Sequence, residues 1–220
     1  MDAVVLFSGG QDSTTCLYWA KKRFDKIVAL SFDYGQRHAI ELESARAICT
    51  MAKVEHRILN TPTFSQIGGN ALVSQMKIET RKGELPNTFV PGRNLYFLTV
   101  AAALAYGLGS RHLVTGVCQT DYSGYPDCRE ATIKALEKSL NLGMEADFKI
   151  HTPLMYLTKA QTVELGEAEG AMEAMAYSHT CYEGKFPPCQ KCPACGLRSV
   201  GFEEAGMIDP LLQRAALHNP

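Results

Sequence analysis

A glycine pair between hydroxyl side chains lies near the start of the chain and has the composition of a phosphate-binding loop. It follows an apolar run from Ala3 to Phe7 and precedes a helical pattern that begins near Thr14. Glycines let backbone N–H groups approach an anion, and the start of a helix adds unpaired N–H donors and the positive end of its dipole. The segment therefore predicts a cradle for the phosphates of a nucleotide. Its residues are Phe7, Ser8, Gly9, Gly10, Gln11, Asp12, Ser13 and Thr14.

This loop differs from two common nucleotide-binding sequences. A Walker A loop has Lys-Ser/Thr after its second glycine, and the dinucleotide fingerprint has a third glycine. Instead, the loop resembles the S-G-G-x-D-S sequence of the PP-loop ATP pyrophosphatases, matching it at Ser8, Gly9, Gly10, Asp12 and Ser13. That family binds the pyrophosphate of ATP and activates a substrate by adenylation. The alternative is a Ser-Gly-Gly turn without a nucleotide, but the preceding strand, the following helix and both serines favour the nucleotide.

Four of the eight cysteines form a cluster with the spacing of a metal site: Cys181, Cys189, Cys192 and Cys195. Two overlapping C-x-x-C turns supply three thiolates and Cys181 supplies a fourth, which suits tetrahedral zinc. Because four thiolates close the coordination of the ion, we expect a structural site that holds the C-terminal segment on the core. Two alternatives stay open: His179 in place of one thiolate, and an iron–sulfur cluster. The other four cysteines are dispersed, which argues against a disulfide framework.

The length and composition of the chain suit one hydrophobic core with a small appended segment. The chain has 220 residues and is 46% hydrophobic, which is enough for one substantial core. We predict a catalytic domain over residues 1–176 and a C-terminal zinc-binding segment over residues 177–220 that packs on that core.

Short β-branched runs alternate with helical patterns, which is typical of a parallel sheet covered on both faces. The predicted strands are Ala3–Phe7, Ile27–Phe32, Glu55–Leu59, Leu113–Val117 and Phe148–His151. The predicted helices are Thr14–Phe24, Ala39–Met51, Asn94–Gly107, Glu130–Leu142 and Lys159–Glu169. This order predicts an α/β fold with a doubly wound, Rossmann-like parallel sheet. The resemblance to the PP-loop enzymes implies that the fold is of the adenine nucleotide alpha hydrolase type. Residues 60–88 lack periodicity and are interpreted as an irregular insertion, either a lid or an oligomer contact.

Ligands of such sheets bind beyond the carboxyl ends of the strands, so the loops there are expected to carry the chemistry. Besides the first loop, three segments have an unusual composition. They are residues 34–38 after the second strand, residues 89–94 before the apolar helix, and residues 118–129 after the fourth strand. All four segments can converge on one crevice.

Together these segments resemble one branch of the PP-loop enzymes, the 7-cyano-7-deazaguanine synthase (preQ0 synthase, QueC) family, over nearly the whole chain. The matching segments are Phe7–Thr14, Tyr34–His38, Val90–Asn94, Asp121–Arg129 and the four clustered cysteines. The resemblance implies an ATP-dependent C–N ligase of queuosine biosynthesis. Such an enzyme converts 7-carboxy-7-deazaguanine and ammonia into a nitrile through an adenylated acid and an amide, and releases AMP and pyrophosphate. The resemblance also implies Mg²⁺, one structural Zn²⁺ per chain and a homodimer.

On this resemblance, catalytic roles are expected for Asp12, Ser13, Arg93 and Lys159. The serines and glycines of the first loop would hold the departing pyrophosphate. Asp12 would orient the loop or help to bind Mg²⁺, with a helix N-cap as the alternative. Lys159 would reach the phosphates, with a solvated surface lysine as the alternative.

Substrate contacts are expected from Tyr34, Gln36, Arg37, His38, Asp121, Tyr125, Asp127 and Arg129. Arg93 and Arg129 suit bidentate binding of phosphate or carboxylate, or else form structural ion pairs. Asp121 and Asp127 flank an aromatic turn that can stack on a deazapurine and accept hydrogen bonds from its ring N–H and amino group. A plain Asp/Gly/Pro turn is the alternative for both. His38 can shuttle a proton, or can simply pack at the start of a helix.

The charge balance argues against a direct nucleic-acid partner. Lys and Arg total 22 against 23 Asp and Glu, so the formal charge is −1 and no basic face is evident. The chain also enters its first strand directly, without a signal-peptide pattern, and its longest apolar run, residues 98–108, is too short to cross a bilayer. We therefore expect a cytoplasmic enzyme that binds no membrane.

Three other functions share part of this pattern. A PP-loop tRNA-modifying enzyme, of the thiolation or lysidine type, would need a basic surface for its polyanionic substrate. A zinc-knuckle binding module with a vestigial nucleotide site conflicts with the intact Ser8, Asp12 and Ser13. Synthetases that amidate other acids share the first loop and lack the segment from Asp121 to Arg129.

Overall fold

The computed structural model describes residues 1–35, 40–69, 85–119 and 124–217. Five parallel strands form one sheet in the order β3-β2-β1-β4-β5. The strands are β1 Asp2–Leu6, β2 Lys26–Asp33, β3 Glu55–Asn60, β4 His112–Val114 and β5 Lys149–His151. The predicted doubly wound α/β fold is therefore confirmed, with all five strands at the expected places in the chain.

Helices cover both faces of this sheet and continue into the C-terminal segment. They are α1 Gln11–Lys21, α2 Ile40–Ala52, α3 Thr63–Ile67, α4 Arg93–Gly107, α5 Glu130–Met144, α6 Lys159–Glu169, α7 Met172–Met175, α8 Pro193–Glu204 and α9 Pro210–Leu217. A 3₁₀ turn at Pro126–Cys128 precedes α5. The sequence reading identified α1, α2, α4, α5 and α6, and it assigned no helix to the other four. None of the helices within the described ranges combines the length and the apolar composition that a membrane span requires.

The central strand packs its two faces into separate halves of the core. Val5 contacts the cluster that contains Leu17 of α1, whereas Val4 contacts the cluster that contains Leu98 of α4. These aliphatic side chains are fully buried, and each contributes about 1.5–3 kcal/mol by leaving water. Packing on both sides fixes β1 at the middle of the sheet and so fixes where its carboxyl end emerges.

The strand order reverses at β1. From β1 the chain runs to β2 and β3 on one side, and it returns to β4 and β5 on the other. In open parallel sheets this reversal opens a crevice between the loops that follow the two central strands. Strand β4 ends at Val114, three residues before its predicted end, and Gly116 then packs against the backbone of Asp12 at the start of α1. The shorter strand thus brings the loop after β4 onto the loop after β1.

The C-terminal segment is joined to the core by a buried arginine. Arg198 on α8 forms a bidentate ion pair with Asp209, with N–O distances of 2.6 and 2.8 Å, and it donates to the hydroxyl of Ser178 and the carbonyl of Met175. Helix α8 also packs closely on α6, where a Cβ at Gly201 would lie 3.0 Å from the Cβ of Lys159. The division into residues 1–176 and 177–220 stays a prediction.

Candidate active site and metal centre

A cavity of about 370 Å³ opens at the carboxyl ends of β1 and β4, where the strand order reverses. Ten of the residues predicted to form the site line it: Phe7, Ser8, Gly10, Gln11, Asp12, Ser13, Tyr34, Arg93, Tyr125 and Lys159. Gly9, Thr14, Asp127 and Arg129 are absent from its lining. Four other predicted residues, Gln36, Arg37, His38 and Asp121, lie outside the described residues.

Hydrogen bonds within the first loop hold its two serines together. The hydroxyls of Ser8 and Ser13 are 3.1 Å apart, and the N–H of Gly10 donates to Ser8 Oγ over 3.3 Å. Thr14 is fully buried, and its hydroxyl donates to the carbonyl of Gly10 over 2.8 Å. Thr14 therefore stabilises the loop from behind, whereas Ser8, Gly10 and Ser13 border the cavity.

Gly9 serves the loop through its backbone and not through contact with the cavity. Its φ of +82° is left-handed, and a Cβ there would lie 2.5 Å from the carbonyl oxygen of Glu41 and 2.7 Å from the nitrogen of Ala45. Only glycine combines that φ with such a close approach to α2. The conformation of the loop thus depends on its contact with α2.

A lysine and an aspartate from distant parts of the chain meet beside the loop. Lys159 Nζ lies 2.7 Å from Asp12 Oδ2. Lys159 is the first residue of α6, whose start is fixed by a capping box between Thr158 and Gln161. The pair places a positive charge at a loop whose backbone already suits an anion.

Three buried polar atoms at the cavity have no hydrogen-bond partner within the described part of the chain. They are Gln11 Nε2, Asp12 Oδ1 and Thr180 Oγ1. Buried polar atoms in native proteins are nearly always paired, so three such atoms around one cavity indicate groups that a ligand, ion or water satisfies. The donors suit phosphate oxygens, and the carboxylate oxygen suits a hard cation such as Mg²⁺.

The other end of the cavity combines aromatic rings with an arginine. Phe32 and Phe97 stack with centroids 4.0 Å apart, and Phe97 lines the cavity. Burial disfavours the charged form of Arg93, but the neighbouring Tyr34, Tyr125 and Asp127 outweigh that effect and keep the pKa of Arg93 above its usual value. A half-buried, fully charged guanidinium beside flat rings suits a planar anionic ligand.

Glu41 on α2 also lines this end of the cavity, and the sequence analysis did not single it out. Burial raises the pKa of Glu41 to about 7, although the positive charge of Arg93 acts in the opposite direction. Acidic residues are common in the first turn of helices, so sequence gave no signal for this position.

Asp127 and Arg129 do not line the cavity. Asp127 is buried, and its Oδ2 accepts a hydrogen bond of 3.1 Å from the backbone N–H of Asn94 at the start of α4. Arg129 is exposed, at the N-cap of α5. Asp127 therefore helps to hold the helix that presents Arg93. The substrate contacts expected from Asp127 and Arg129 stay predictions.

The four clustered cysteines converge on one point. Their sulfur atoms all lie within 4.8 Å of one another, and Cys189 Sγ is 3.9 Å from Cys195 Sγ. Tetrahedral zinc with Zn–S bonds of 2.3 Å separates its sulfurs by roughly 3.8 Å, so this set fits one zinc ion. Burial opposes ionisation of Cys189, but hydrogen bonds from the N–H groups of Lys191 and Cys192 lower the pKa of its thiol to about 7. His179 is not in this set, and its Nε2 lies 3.2 Å from the carbonyl oxygen of Cys181.

The metal centre adjoins the cavity through residues 179–182. The N–H of His179 donates to the carbonyl of Gly9 over 2.9 Å, and Thr180, Cys181 and Tyr182 line the cavity. Sequence analysis assigned the cysteines but missed this wall, because the contact joins residues 170 positions apart in the chain.

Comparisons with known proteins identify the family to which the chain is similar. A family model with the description "Queuosine biosynthesis protein QueC" matches residues 2–206. A 7-cyano-7-deazaguanine synthase from Laribacter hongkongensis is 61% identical over 218 residues, covering 97% of this chain and 95% of the relative. A protein of the same name from Bacillus subtilis is 50% identical over 205 residues, covering 92% and 94%.

Two solved structures share the fold at low identity. One is a 4-thiouridine synthetase in complex with RNA and ATP, with a TM-score of 0.54 and 18% identity over 98% of this chain and 50% of that chain. The other is the NMN synthetase of Francisella tularensis, with a TM-score of 0.53 and 15% identity over 98% and 82%. These similarities support the architecture alone.

Proposed function

This chain belongs to the QueC family of queuosine biosynthesis proteins, and from that premise we propose that it converts 7-carboxy-7-deazaguanine and ammonia into 7-cyano-7-deazaguanine at the expense of ATP. The chain is an enzyme, as its relatives are. One observation carries the proposal: a phosphate-binding loop, a lysine and a half-buried arginine line the same cavity at the reversal of the sheet. The ends of this cavity suit the two halves of the reaction, a nucleotide and a flat carboxylate.

The proposed chemistry explains why ATP is needed. A carboxylate is a poor electrophile because its leaving group would be oxide. Transfer of AMP to the acid releases pyrophosphate and supplies a stable leaving group, which ammonia displaces to give the amide. A second ATP activates the amide oxygen in the same way, and loss of AMP leaves the nitrile. The main tasks of the protein are positioning and charge stabilisation.

The phosphate end of the cavity is assigned to ATP. Ser8, Gly10 and Ser13 would bind the departing pyrophosphate through hydroxyl and backbone donors. Lys159 would neutralise the charge that develops on it. Asp12 would help to hold Mg²⁺, whose role is to shield the phosphate charge, and its unpartnered Oδ1 fits that assignment.

The aromatic end of the cavity is assigned to the deazaguanine. Arg93 would bind its carboxylate, and Tyr34 and Tyr125 would border its ring. We propose further contacts from the segments that the sequence analysis selected, with Gln36, Arg37, His38 and Asp121 among them. Zinc at the four cysteines would have a structural role, because four thiolates leave no open position for a substrate. Elemental analysis of the purified protein distinguishes zinc from iron.

Incubation of the protein with 7-carboxy-7-deazaguanine, ATP, Mg²⁺ and ammonium tests the proposal. Mass spectrometry is expected to show conversion of the acid to the nitrile with release of AMP. Ser13→Ala is expected to suppress AMP release, whereas Ser139→Ala, a matched change on the exposed face of α5, is expected to leave it unchanged. AMP release that depends on tRNA and not on the acid would overturn the proposal in favour of a tRNA-modifying enzyme.

We also propose that the enzyme works in the cytoplasm as a homodimer. Cys16, Cys49, Cys118 and Cys128 are buried and form no disulfide bond within the described residues, as in proteins of reducing compartments. The dimer rests on the family resemblance, and light scattering coupled to size-exclusion chromatography tests it.

A further inference from the structure

Two carboxylates of the described residues line the cavity, and only one of them has a place in the chemistry so far. Asp12 is paired with Lys159 at the phosphate end. Glu41 lies in the first turn of α2, and its own backbone carbonyl abuts Gly9 of the phosphate loop. Glu41 lines the cavity together with Arg93. Glu41 thus borders the phosphate loop through its backbone and interacts electrostatically with Arg93, the arginine assigned to the substrate carboxylate.

The surroundings of Glu41 suit a group that exchanges protons near neutral pH. Burial raises the pKa of its carboxyl to about 7, with Arg93 opposing the shift. The charged and titratable groups that face it in the described residues are Arg93 on α4 and Tyr34 after β2. Burial raises the pKa of Tyr34, and the pKa of Arg93 is also raised, so neither group titrates near pH 7. General acid–base groups work best when their pKa lies near the operating pH.

We propose that Glu41 is the proton acceptor for the substrate nitrogen, an inference that rests on the proposed function. In the first stage, the lone pair of ammonia forms a C–N bond, and the bond from carbon to the AMP oxygen breaks with its electrons leaving on AMP. The nitrogen then carries one surplus proton, which Glu41 takes. In the second stage, the amide oxygen displaces pyrophosphate from ATP, and the nitrogen loses two protons in turn as AMP departs and the nitrile forms. Glu41 accepts each proton and returns it to water.

Asp127 cannot take this role in the present arrangement, because its Oδ2 accepts from the backbone of Asn94 and it is absent from the cavity lining. A competing role for Glu41 is recognition of the guanine-like edge, which also requires a hydrogen-bond acceptor. The two roles differ in the step that they affect. Recognition is needed for adenylation of the acid, whereas proton acceptance from nitrogen is needed only afterwards.

The test separates adenylation from the later steps in Glu41→Gln. The acid-dependent exchange of pyrophosphate into ATP involves no nitrogen, so it is expected to stay within about threefold of the wild-type rate. Dehydration of the amide, supplied directly with ATP, is expected to fall about 100-fold or more, the usual contribution of a general base. Glu43→Gln, on the exposed face of the same helix, is expected to match the wild type in both assays. Circular dichroism and thermal melting confirm folding, and Glu41→Asp, which keeps the carboxylate, is expected to retain part of the dehydration rate if Glu41→Gln does not fold.

The pH profile of amide dehydration supplies a second readout, free of the titration of ammonium. The wild-type rate is expected to fall as the pH drops below about 7, because a base must be deprotonated to act, and this limb is expected to be absent from Glu41→Gln. Histidine is the side chain whose ordinary pKa lies nearest neutral pH, so His38→Gln, at a residue outside the described part of the chain, is the matching comparison. The limb is expected to persist in that variant.

Two results would overturn the assignment while leaving the proposed function intact. One is loss of pyrophosphate exchange in Glu41→Gln as large as the loss of dehydration, which would indicate recognition. The other is an unchanged acid limb in that variant. Wild-type protein without any acid-dependent exchange would instead overturn the proposed function, and this inference with it.

Discussion

The ion pair between Lys159 and Asp12 joins two residues that are 147 positions apart in the chain, at the proposed nucleotide site. The lysine side chain is 16% exposed and the aspartate 32% exposed, so both retain access to a ligand. We expect Lys159→Met to lower acid-dependent AMP release about 100- to 1000-fold, because it removes a charge aimed at the phosphates in a partly dry site. Methionine keeps the apolar stem of lysine, so the thermal midpoint should change little. Rates from coupled AMP detection and a melting curve measure both effects.

The control for this change is Lys134→Met, which removes a lysine from the exposed face of α5. It should leave AMP release and the melting curve as in the wild type. Equal rates in the two methionine variants would show that Lys159 is only a partner of Asp12 and does not act on phosphate.

At the residue scale, the sequence predicted groups whose signal is local. The phosphate loop and the four cysteines are recognisable because their spacing along the chain already encodes a turn or a ligand set. Glu41 and Thr180 were not predicted, because they reach the cavity only through the packing of α2 and of residues 179–182, which we call the metal segment. Asp127 was expected to contact the substrate on the family resemblance, and that contact stays a prediction. The structure adds a second contact that the sequence did not reveal, because Asp127 accepts a hydrogen bond from the backbone at the start of α4.

At the scale of elements, the phosphate loop depends on the helix behind it. Gly9 has a φ of +82°, and its Cα faces the backbone of α2. We expect Gly9→Ala to lower the free energy of unfolding by at least about 2 kcal/mol, from the left-handed conformation together with the displacement of α2. ATP affinity should fall as well, since the loop moves with the helix. Denaturant unfolding and calorimetric titration with ATP measure the two effects.

Gly143→Ala provides a matched control on α5, where a Cβ would meet no atom within 4 Å. It should stabilise the protein by up to about 1 kcal/mol, because alanine is the better helix former. A Gly9→Ala protein as stable as the wild type would contradict the close contact between the loop and α2.

The metal segment is a second element that supports the loop. Residues 179–182 form a wall of the cavity and donate one hydrogen bond to Gly9, and Cys181 belongs both to that wall and to the metal set. We expect removal of the metal by a chelator to lower the thermal midpoint and to weaken ATP binding about three- to tenfold, the value of one lost hydrogen bond. Readdition of zinc should restore both.

Cys192→Ser and Cys49→Ala separate the metal effect from that of losing a buried cysteine. Cys192 is a member of the metal set, whereas Cys49 is buried on α2, where burial raises the pKa of its thiol to about 12. The serine variant should bind ATP as weakly as the chelated protein. The alanine variant should keep its metal and its ATP affinity. Unchanged ATP affinity after chelation would refute the coupling.

The helices and strands with a clear apolar periodicity were predicted, and those without it were missed. The five strands were predicted from short apolar runs, and helices α1, α2, α4, α5 and α6 were predicted from apolar residues at helical spacing. Helices α8 and α9 were not assigned, because the sequence analysis attributed their segment to the metal knuckle. Strand β4 was predicted three residues too long, because the β-branched Thr115 and Val117 continue the strand-like composition. The strand ends at Val114, and Gly116 packs against Asp12 of α1.

A histidine pair outside the cavity is expected to affect the stability of the whole molecule. His112 at the start of β4 and His151 at the end of β5 have ring nitrogens 3.1 Å apart, beside Phe24 and Trp19. Neither histidine lines the cavity. Burial, with smaller contributions from His112 and Lys149, lowers the pKa of His151 to about 4. Burial and Lys149 also lower the pKa of His112.

These shifts determine the direction of the pH dependence of folding. An unfolded histidine titrates near about 6.5. Between that pH and about 4 the unfolded state binds more protons than the folded state, so the free energy of unfolding falls as the pH falls through this window. The stabilisation from keeping the pair neutral is fully present above about pH 6.5. One such group changes stability by at most about 1.4 kcal/mol per pH unit.

We therefore expect His151→Leu to show a smaller loss of thermal midpoint than the wild type between pH 6.5 and 4.5. We expect Lys149→Gln to show a loss between that of the leucine variant and that of the wild type. The second variant removes a positive charge that disfavours the imidazolium, so the pKa of His151 should rise toward its ordinary value. Melting curves at four pH values measure both effects. Release of the metal in acid affects all three proteins alike, so the informative quantity is the difference between each variant and the wild type. Parallel curves for His151→Leu and the wild type would mean that the acid sensitivity of the molecule arises elsewhere, with the four thiolates as the first group to examine.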